Sequence, residues 1–249
     1  MSQTTKVELR MQRVENDPVI GTFVFCYDPA DTHAEPPNPR MPASVWSHID
    51  EHLIRARHWK IRPGDVVLDV GAAFGSYALP AAALGAAKVI AWSPDWNGDV
   101  LEASIAANPG WDRIIERRKV ALWSRPGWLV IPRDASAPAF YDRGCAVPDG
   151  AVPATTLDAD VADDGLERVD WMKLDVEGAE VEVLRGAAAT IARFRPRILV
   201  EHHQFKDETL EAQVLGLLVT MGYRLEEVVK QHEGCCVSHG LYLPVGGGA

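Results

Sequence analysis

Residues 65–80 read "DVVLDVGAAFGSYALP". The run from Val66 to Val70 is apolar but for Asp69, the composition of a short strand covered on both faces. Gly71 and Gly75 follow, four apart, and then small residues and Tyr77 whose pattern suits a helix. Strand, tight loop and helix in that order open a doubly wound α/β sheet. In such sheets ligands sit beyond the carboxyl ends of the strands. Glycine in the loop lets the backbone adopt positive φ and approach a ligand closely.

Working outward, strands and helices alternate. "KVIAW" (88–92) is a strand and "NGDVLEASIAANPG" (97–110) a helix. "RIIERRKVALW" (113–123) reads as one strand and "PGWLVIP" (126–132) as a turn and a strand. Residues 133–158 are rich in Pro, Gly and polar groups and read as loop. "VDWMKLDV" (169–176) is a strand, and "GAEVEVLRGAAATIARF" (178–194) one helix starting near Glu177 or Gly178. "RPRILVEHH" (195–203) is a strand and "DETLEAQVLGLLVTMG" (207–222) a helix. This alternation predicts a parallel sheet with helices on both faces. The ending differs. "YRLEEVV" and "HGLYLPV" are separated by "KQHEGCCVS", too short for a crossover helix, so these two strands should pair antiparallel. Upstream, "KVELRMQRV" and "VIGTFVFCY" flank a turn and predict a hairpin. Residues 28–42 hold five prolines and read as a surface loop. Val45, Trp46, Ile49, Leu53, Ile54 and Ala56 mark a helical stripe after it.

Composition narrows the classes. Of 249 residues, 47% are apolar, enough for a core. There are 35 acidic against 25 basic residues, a net charge of −10, and no basic stripe with interleaved aromatics. Nucleic acid is therefore not the expected partner. No stretch approaches the apolar length of a membrane span, and the first residues lack the apolar core of a signal peptide. A soluble cytoplasmic protein is expected, with a homodimer left open. Cys26, Cys145, Cys235 and Cys236 show no CxxC spacing and read as thiols.

Two features of the 71–75 loop bear on the ligand. Its GxxxG spacing is not the GxGxxG of a dinucleotide fingerprint. Asp69 precedes it, and that anion would repel a diphosphate but suit a ligand with a positive end. S-adenosylmethionine, with its ammonium and sulfonium, is such a ligand.

Together "VVLDVGAAFGSYAL", "KVIAWSPD", "TTLD" and "VDWMKLDVEGAEVEVLRGA…RPRILVEHH" resemble the FkbM-type methyltransferases, over roughly residues 60–230. "LDVEGAEVEVLRGA" is the most specific part. The resemblance implies a Rossmann-like class I methyltransferase fold. Its mostly parallel seven-stranded sheet would end in an antiparallel strand, and an N-terminal hairpin and helix would be added. It divides the chain into an extension, 1–58, contributing to the substrate site, and a cofactor-binding methyltransferase domain, 59–245. It also implies S-adenosylmethionine as cofactor and methylation of a hydroxyl on a natural product, sugar or similar small molecule. Asp69, Gly71, Ala73 and Gly75 would form the cofactor loop, with Ser76 opening the helix. The family's ribose-binding acid falls at Ser93, in "Trp92-Ser93-Pro94". Ser93 can bond a hydroxyl as a neutral group, and Asp95 could substitute. Trp92 or Trp96 could flank the adenine. Ala121 and Leu122 fall where the third-strand loop would pass it.

A second set of residues ends the later strands. Asp175 shares the rim with Asp69. Lys173, two residues earlier, faces the same side and could pair with Asp175 or Glu177. Glu177 and Glu180 would lie in a helix's first turn. Acids there complement the dipole, which suffices for Glu180 and leaves Glu177 either capping or ligand-facing. Glu201, His202 and His203 end the next strand, with Glu201 and His203 at the family's positions. A histidine titrating near neutrality could serve as general base. Alternatively Asp175, Glu201 and His203 could hold Mg or Mn that lowers a hydroxyl's pKa. Tyr27, Phe140 and Tyr141 could line a pocket, with segments 28–42 and 132–153, Trp46 and His48 as lids or walls. The competing readings are an N-methyltransferase, an NAD-dependent oxidoreductase and an inactive interaction subunit.

Overall fold

The computed structural model describes residues 10–17, 21–27, 61–94, 97–132, 138–203, 209–230 and 237–246. Its strands are β1 (Arg10–Asp17), β2 (Gly21–Tyr27), β3 (Val66–Val70), β4 (Lys88–Trp92), β5 (Ile115–Arg118), β6 (Ala121–Leu122), β7 (Gly127–Val130), β8 (Ala139–Asp142), β9 (Val152–Thr155), β10 (Trp171–Leu174), β11 (Arg197–His203), β12 (Tyr223–Lys230) and β13 (Val237–Pro244). The helices are α1 (Ala78–Ala83), α2 (Asn97–Ala107), α3 (Leu157–Asp160), α4 (Glu180–Gly186), α5 (Ala188–Phe194) and α6 (Leu210–Thr220).

Seven strands form the main sheet in the order β12-β13-β11-β10-β3-β4-β5. β5, β4, β3, β10 and β11 run parallel. β13 is inserted antiparallel between β11 and β12. The expected sheet and its reversed final strand are therefore both present. The order steps outward from β3 in both directions, so the crevice between the ends of β3 and β10 is the switch point.

Because side chains alternate along a strand, the register sorts the sheet into two faces. Lys173 pairs across to Asp69 and Leu199, and Glu201 to His239. These share one face with Val67, Val89, Ala91, Trp171 and Leu241, under α1, α2 and the hairpin's Phe23 and Phe25. Leu68, Val70, Ile90, Trp92, Met172, Leu174 and Val200 fill the other face, under α3 to α6.

The hairpin β1–β2 is antiparallel, as expected. α2 anchors it with side chains. Asn108, just past the helix, accepts from the Val24 N–H at 2.8 Å and donates to the Val24 carbonyl; Ser104 Oγ accepts from the Cys26 N–H at 2.8 Å. A helix has no free backbone groups for a strand, so polar side chains on its flank take that part.

Four expectations are corrected. Residues 113–123 are not one strand: a short 3₁₀ turn at Trp111–Arg113 precedes β5, and β6 leaves for another sheet. Residues 133–158 are not merely loop. They carry β8 and β9, which join β6 and β7 in a four-stranded sheet ordered β6-β9-β7-β8. Pro153 misled there; it lies in β9 opposite Trp128 of β7. The helix expected at 178–194 begins at Glu180 and breaks at Ala187, whose φ is −112°. α1 likewise starts at Ala78, after a looped 71–77. The helix expected near 45–56, the Pro-rich segment and the Cys235-Cys236 pair lie outside the described residues.

Candidate active site

The loop after β3 is wound by three left-handed residues, Gly71 (φ +86°), Ala73 (+45°) and Gly75 (+94°). At Gly71 any Cβ would collide with the Asp175 carbonyl oxygen, so this glycine lets the β3 and β10 loops meet backbone to backbone. At Gly75 a Cβ would lie 2.6 Å from Leu101 Cδ1. Ser76 is buried but precedes the helix N-cap, Tyr77.

Asp69 is fully buried at the foot of this loop, and neither carboxylate oxygen has a hydrogen-bond partner among the described residues. Burial pushes its pKa up to about 6, opposed by the charge of Lys173, reinforced by Asp175 and eased by the Ala78 amide. The Tyr77 hydroxyl is also buried, without a hydrogen-bond partner among the described residues; burial and then the charge of Asp69 raise its pKa. Lys173 reaches Asp175 Oδ2 at 2.8 Å, as its spacing predicted. Burial disfavours the ammonium, but Asp175, Asp69 and Glu201 outweigh it and hold its pKa above the usual lysine range.

Beyond Asp175 the chain makes a left-handed turn at Glu177 (φ +56°) and Gly178 (φ +99°). That turn delays the helix and swings Glu180 inward. Glu180 opens the helix's first turn, as expected, but it is 0% exposed and makes contacts beyond its own helix. Its Oε1 accepts from the Gly178 N–H at 3.1 Å and from His203 Nδ1 at 2.9 Å. The other ring nitrogen, Nε2, lies 3.6 Å from Asp175 Oδ1, 3.6 Å from Glu177 Oε2 and 3.8 Å from Glu201 Oε1. Burial alone would lower the pKa of His203. The Glu180 bond and the charges of Asp175, Glu201 and Glu177 raise it instead, to about 9. The expected near-neutral histidine is thus a more basic one.

The structure brings together Asp69, Lys173, Asp175, Glu201 and His203, and it adds Glu180 and His239. His239 Nε2 is 3.3 Å from Glu201 Oε2, and burial pushes its pKa down to about 3 against the pull of Asp175. Neither addition was found from sequence. Glu180 had a sufficient local explanation, and His239 reaches Glu201 only through the β11–β13 register.

His202 does not join the site. One residue out of phase, it points through the opposite face, with Nδ1 3.2 Å from Ser238 Oγ and Nε2 3.1 Å from Tyr242 Oη. Burial lowers its pKa to about 4. Trp92 is on that face too. Its indole donates to Asp160 at 2.9 Å, so it packs and flanks no ligand on the Asp69 side. Ser93 is back on the Asp69 face, buried, with its carbonyl accepting from Arg117 Nε at 2.8 Å. Ala121 and Leu122 are buried in β6, and Leu122 packs in the core beneath α3 to α6. Phe140 is stacked on Trp123 at 5.3 Å with the Arg125 guanidinium 4.5 Å above it, so it belongs to the small sheet's own packing. Tyr141 sits beside it on β8, opposite Trp128. Asp95, Trp96, Trp46, His48 and the side chain of Tyr27 lie outside the described residues. Of possible metal ligands among the described residues, Asp175, Glu177 and His203 place donor atoms within 4.8 Å of one another, with Glu177 where the sequence suggested Glu201.

Residues 128–225 match the model of the methyltransferase FkbM domain. No curated protein matches the chain. Among solved structures, methyltransferase FkbM from Methylobacillus flagellatus KT is similar, at 16% identity and a TM-score of 0.57, over 76% of this chain and 46% of that one. The chain thus spans about half the length of that relative. Fibrillarin from Methanococcus jannaschii, a pre-rRNA processing protein, is similar at 12% identity and a TM-score of 0.51, over 99% of this chain and 87% of its own. At such identities the likeness is one of fold. The chain thus shares the fold of these methyltransferase structures and, over residues 128–225, is similar to the methyltransferase FkbM domain.

Proposed function

We propose that the chain is an S-adenosylmethionine-dependent methyltransferase acting on a hydroxyl of a small metabolite, of the natural-product or sugar-like kind. One observation carries the cofactor: the Asp69 carboxylate, buried without a hydrogen-bond partner beside the glycine loop. An unpaired buried carboxylate is costly, so the place suits a ligand's cationic group. The surroundings agree. Asp69, Asp175, Glu177, Glu180 and Glu201 are five carboxylates against two cations, Lys173 and protonated His203. Asp69 and the 71–76 loop would hold the amino-acid end, and Ser93 with Asp95 would serve the ribose. When bound, the cofactor supplies a methyl group already activated on a sulfonium.

The chain's own residues then position the acceptor, exclude water and take a proton. His203 would take the proton from its neutral form, with Nε2 facing the cluster; its pKa of about 9 keeps that form a minority at neutral pH, so turnover should rise with pH toward 9. Lys173 neutralises Asp175 and keeps that carboxylate pointing along the rim. Residues 1–58, whose hairpin leans on α2, would help wall the substrate site, with 59–245 as the methyltransferase domain. The net charge of −10 supports a small acceptor over RNA. A second reading, metal assistance, is favoured by the Asp175–Glu177–His203 grouping. A divalent ion there would acidify a hydroxyl.

Calorimetric titration tests the cofactor. S-adenosylmethionine and its demethylated product should bind wild type, and Asp69→Asn should bind roughly 10-fold or more weakly, as expected for a lost charge-assisted bond. Equal affinity in the variant, or binding of NAD instead, overturns the reading. Chelator treatment followed by Mg²⁺ or Mn²⁺ titration separates the metal version from the metal-free one.

A further inference from the structure

We infer that Glu180 is a positioning residue that locks the His203 ring, with Nδ1 bonded to Glu180 and Nε2 turned toward the acceptor side of the site. The inference rests on the methyltransferase reading and deepens it by saying how its base is held.

The geometry is specific. Glu180 and His203 come from different elements, α4 and the end of β11, and both are buried. Their bond is 2.9 Å, and a carboxylate oxygen can only accept there, so Nδ1 carries the proton. The same Oε1 also accepts from the Gly178 N–H, which fixes the carboxylate against its own backbone. The left-handed pair at Glu177 and Gly178 is what permits that backward bond. A ring flip would put a carbon against Glu180 and leave its Oε1 with the Gly178 N–H as its one bond of these two. With Nδ1 committed, Nε2 is the nitrogen that faces Asp175, Glu177 and Glu201. A carboxylate bonded to one ring nitrogen fixes the tautomer and the direction in which the other nitrogen points. Glu180 would not touch the acceptor; it acts through His203.

The test uses the full chain with nitrogen-labelled histidine. In wild type, the His203 Nδ1 proton should appear as a hydrogen-bonded ring signal that exchanges slowly with solvent. Glu180→Leu removes the acceptor at similar volume and should abolish that signal. Glu180→Gln keeps a carbonyl acceptor and should restore it. A role limited to capping α4 would leave the ring signal unchanged in Glu180→Leu, which overturns the inference. Should that variant fail to fold, wild type still decides: a fast-exchanging or unbonded Nδ1 proton refutes the assignment. S-adenosylmethionine affinity of the wild type is measured in parallel. Loss of affinity in wild type would sink the methyltransferase reading while leaving the ring assignment standing.

Discussion

Gly71 shows how one residue's lack of a side chain sets the geometry of a site. From sequence it looked like a place for a ligand to approach. In the structure its open side is filled by the Asp175 carbonyl, so it locks two rim loops together. Gly71→Ala should cost roughly 2–4 kcal/mol, from positive-φ strain plus a backbone clash. Gly75→Ala meets side chains, those of Leu101 and Leu79, rather than backbone and should cost less; urea midpoints of the two variants check the ranking. His203 makes a pH prediction. Its folded pKa, about 9, lies above the ordinary 6.5. The folded state therefore binds the proton more tightly, and the stabilisation is complete below pH 6.5 and lost as pH rises through 9. Wild type should exceed His203→Gln by roughly 1–3 kcal/mol near pH 6, with the gap closing by pH 10. A constant gap across that range would count against the charged-histidine cluster. Asp69, Lys173, Asp175 and His203 were legible because each ends or nearly ends a strand whose apolar run was plain. Glu180 was not, because a first-turn acid already has a reason to be there.

Elements decide which of three adjacent residues take part. β11 ends in Glu201, His202 and His203, and strict alternation sends the first and third to the site and the second through the sheet. The sequence shows the triplet; only the strand's facing assigns it. The hairpin is a second case. Alternation made β1 and β2 readable, but their seat on α2 depends on Ser104 and Asn108, ordinary polar residues in a helical pattern. Asn108→Ala should weaken the seat by about 1–3 kcal/mol, since two backbone groups of Val24 lose their partner. Hydrogen exchange would show it as lost protection at Val24 and its neighbours, with β3 and β10 unchanged. β8 and β9 went unread for the opposite reason. Four-residue strands with Pro, Gly and polar neighbours carry too little periodicity to stand out, and their pairing with β6 and β7 is what orders them.

The whole molecule is organised by the late insertion of β13 between β11 and β12. That insertion brings His239 to Glu201 on one face, and Ser238 and Tyr242 to His202 on the other. Two buried histidines with lowered pKa values, about 4 for His202 and about 3 for His239, give the fold an acid limb. The unfolded chain takes up these protons near pH 6.5 and the folded chain resists until lower pH. Stability should thus fall as pH drops from 6.5 toward 4. His202→Gln should make that slope shallower, by chemical denaturation at fixed pH steps, and an unchanged slope would argue that His202 is protonated in the fold. By itself the amino-acid sequence determined the strand–loop–helix at 65–80, the parallel alternation, the antiparallel ending and the carboxylates on the rim. Those are local facts, set by apolar runs, glycine spacing and loop length. Only the tertiary structure decided which face each rim residue takes, which backbone fills Gly71's open side, and that Glu180 and His239 join the cluster. Register and loop-to-loop contact fix those, and they arise between separate elements, as close in sequence as Glu180 and His203 and as distant as Gly71 and Asp175.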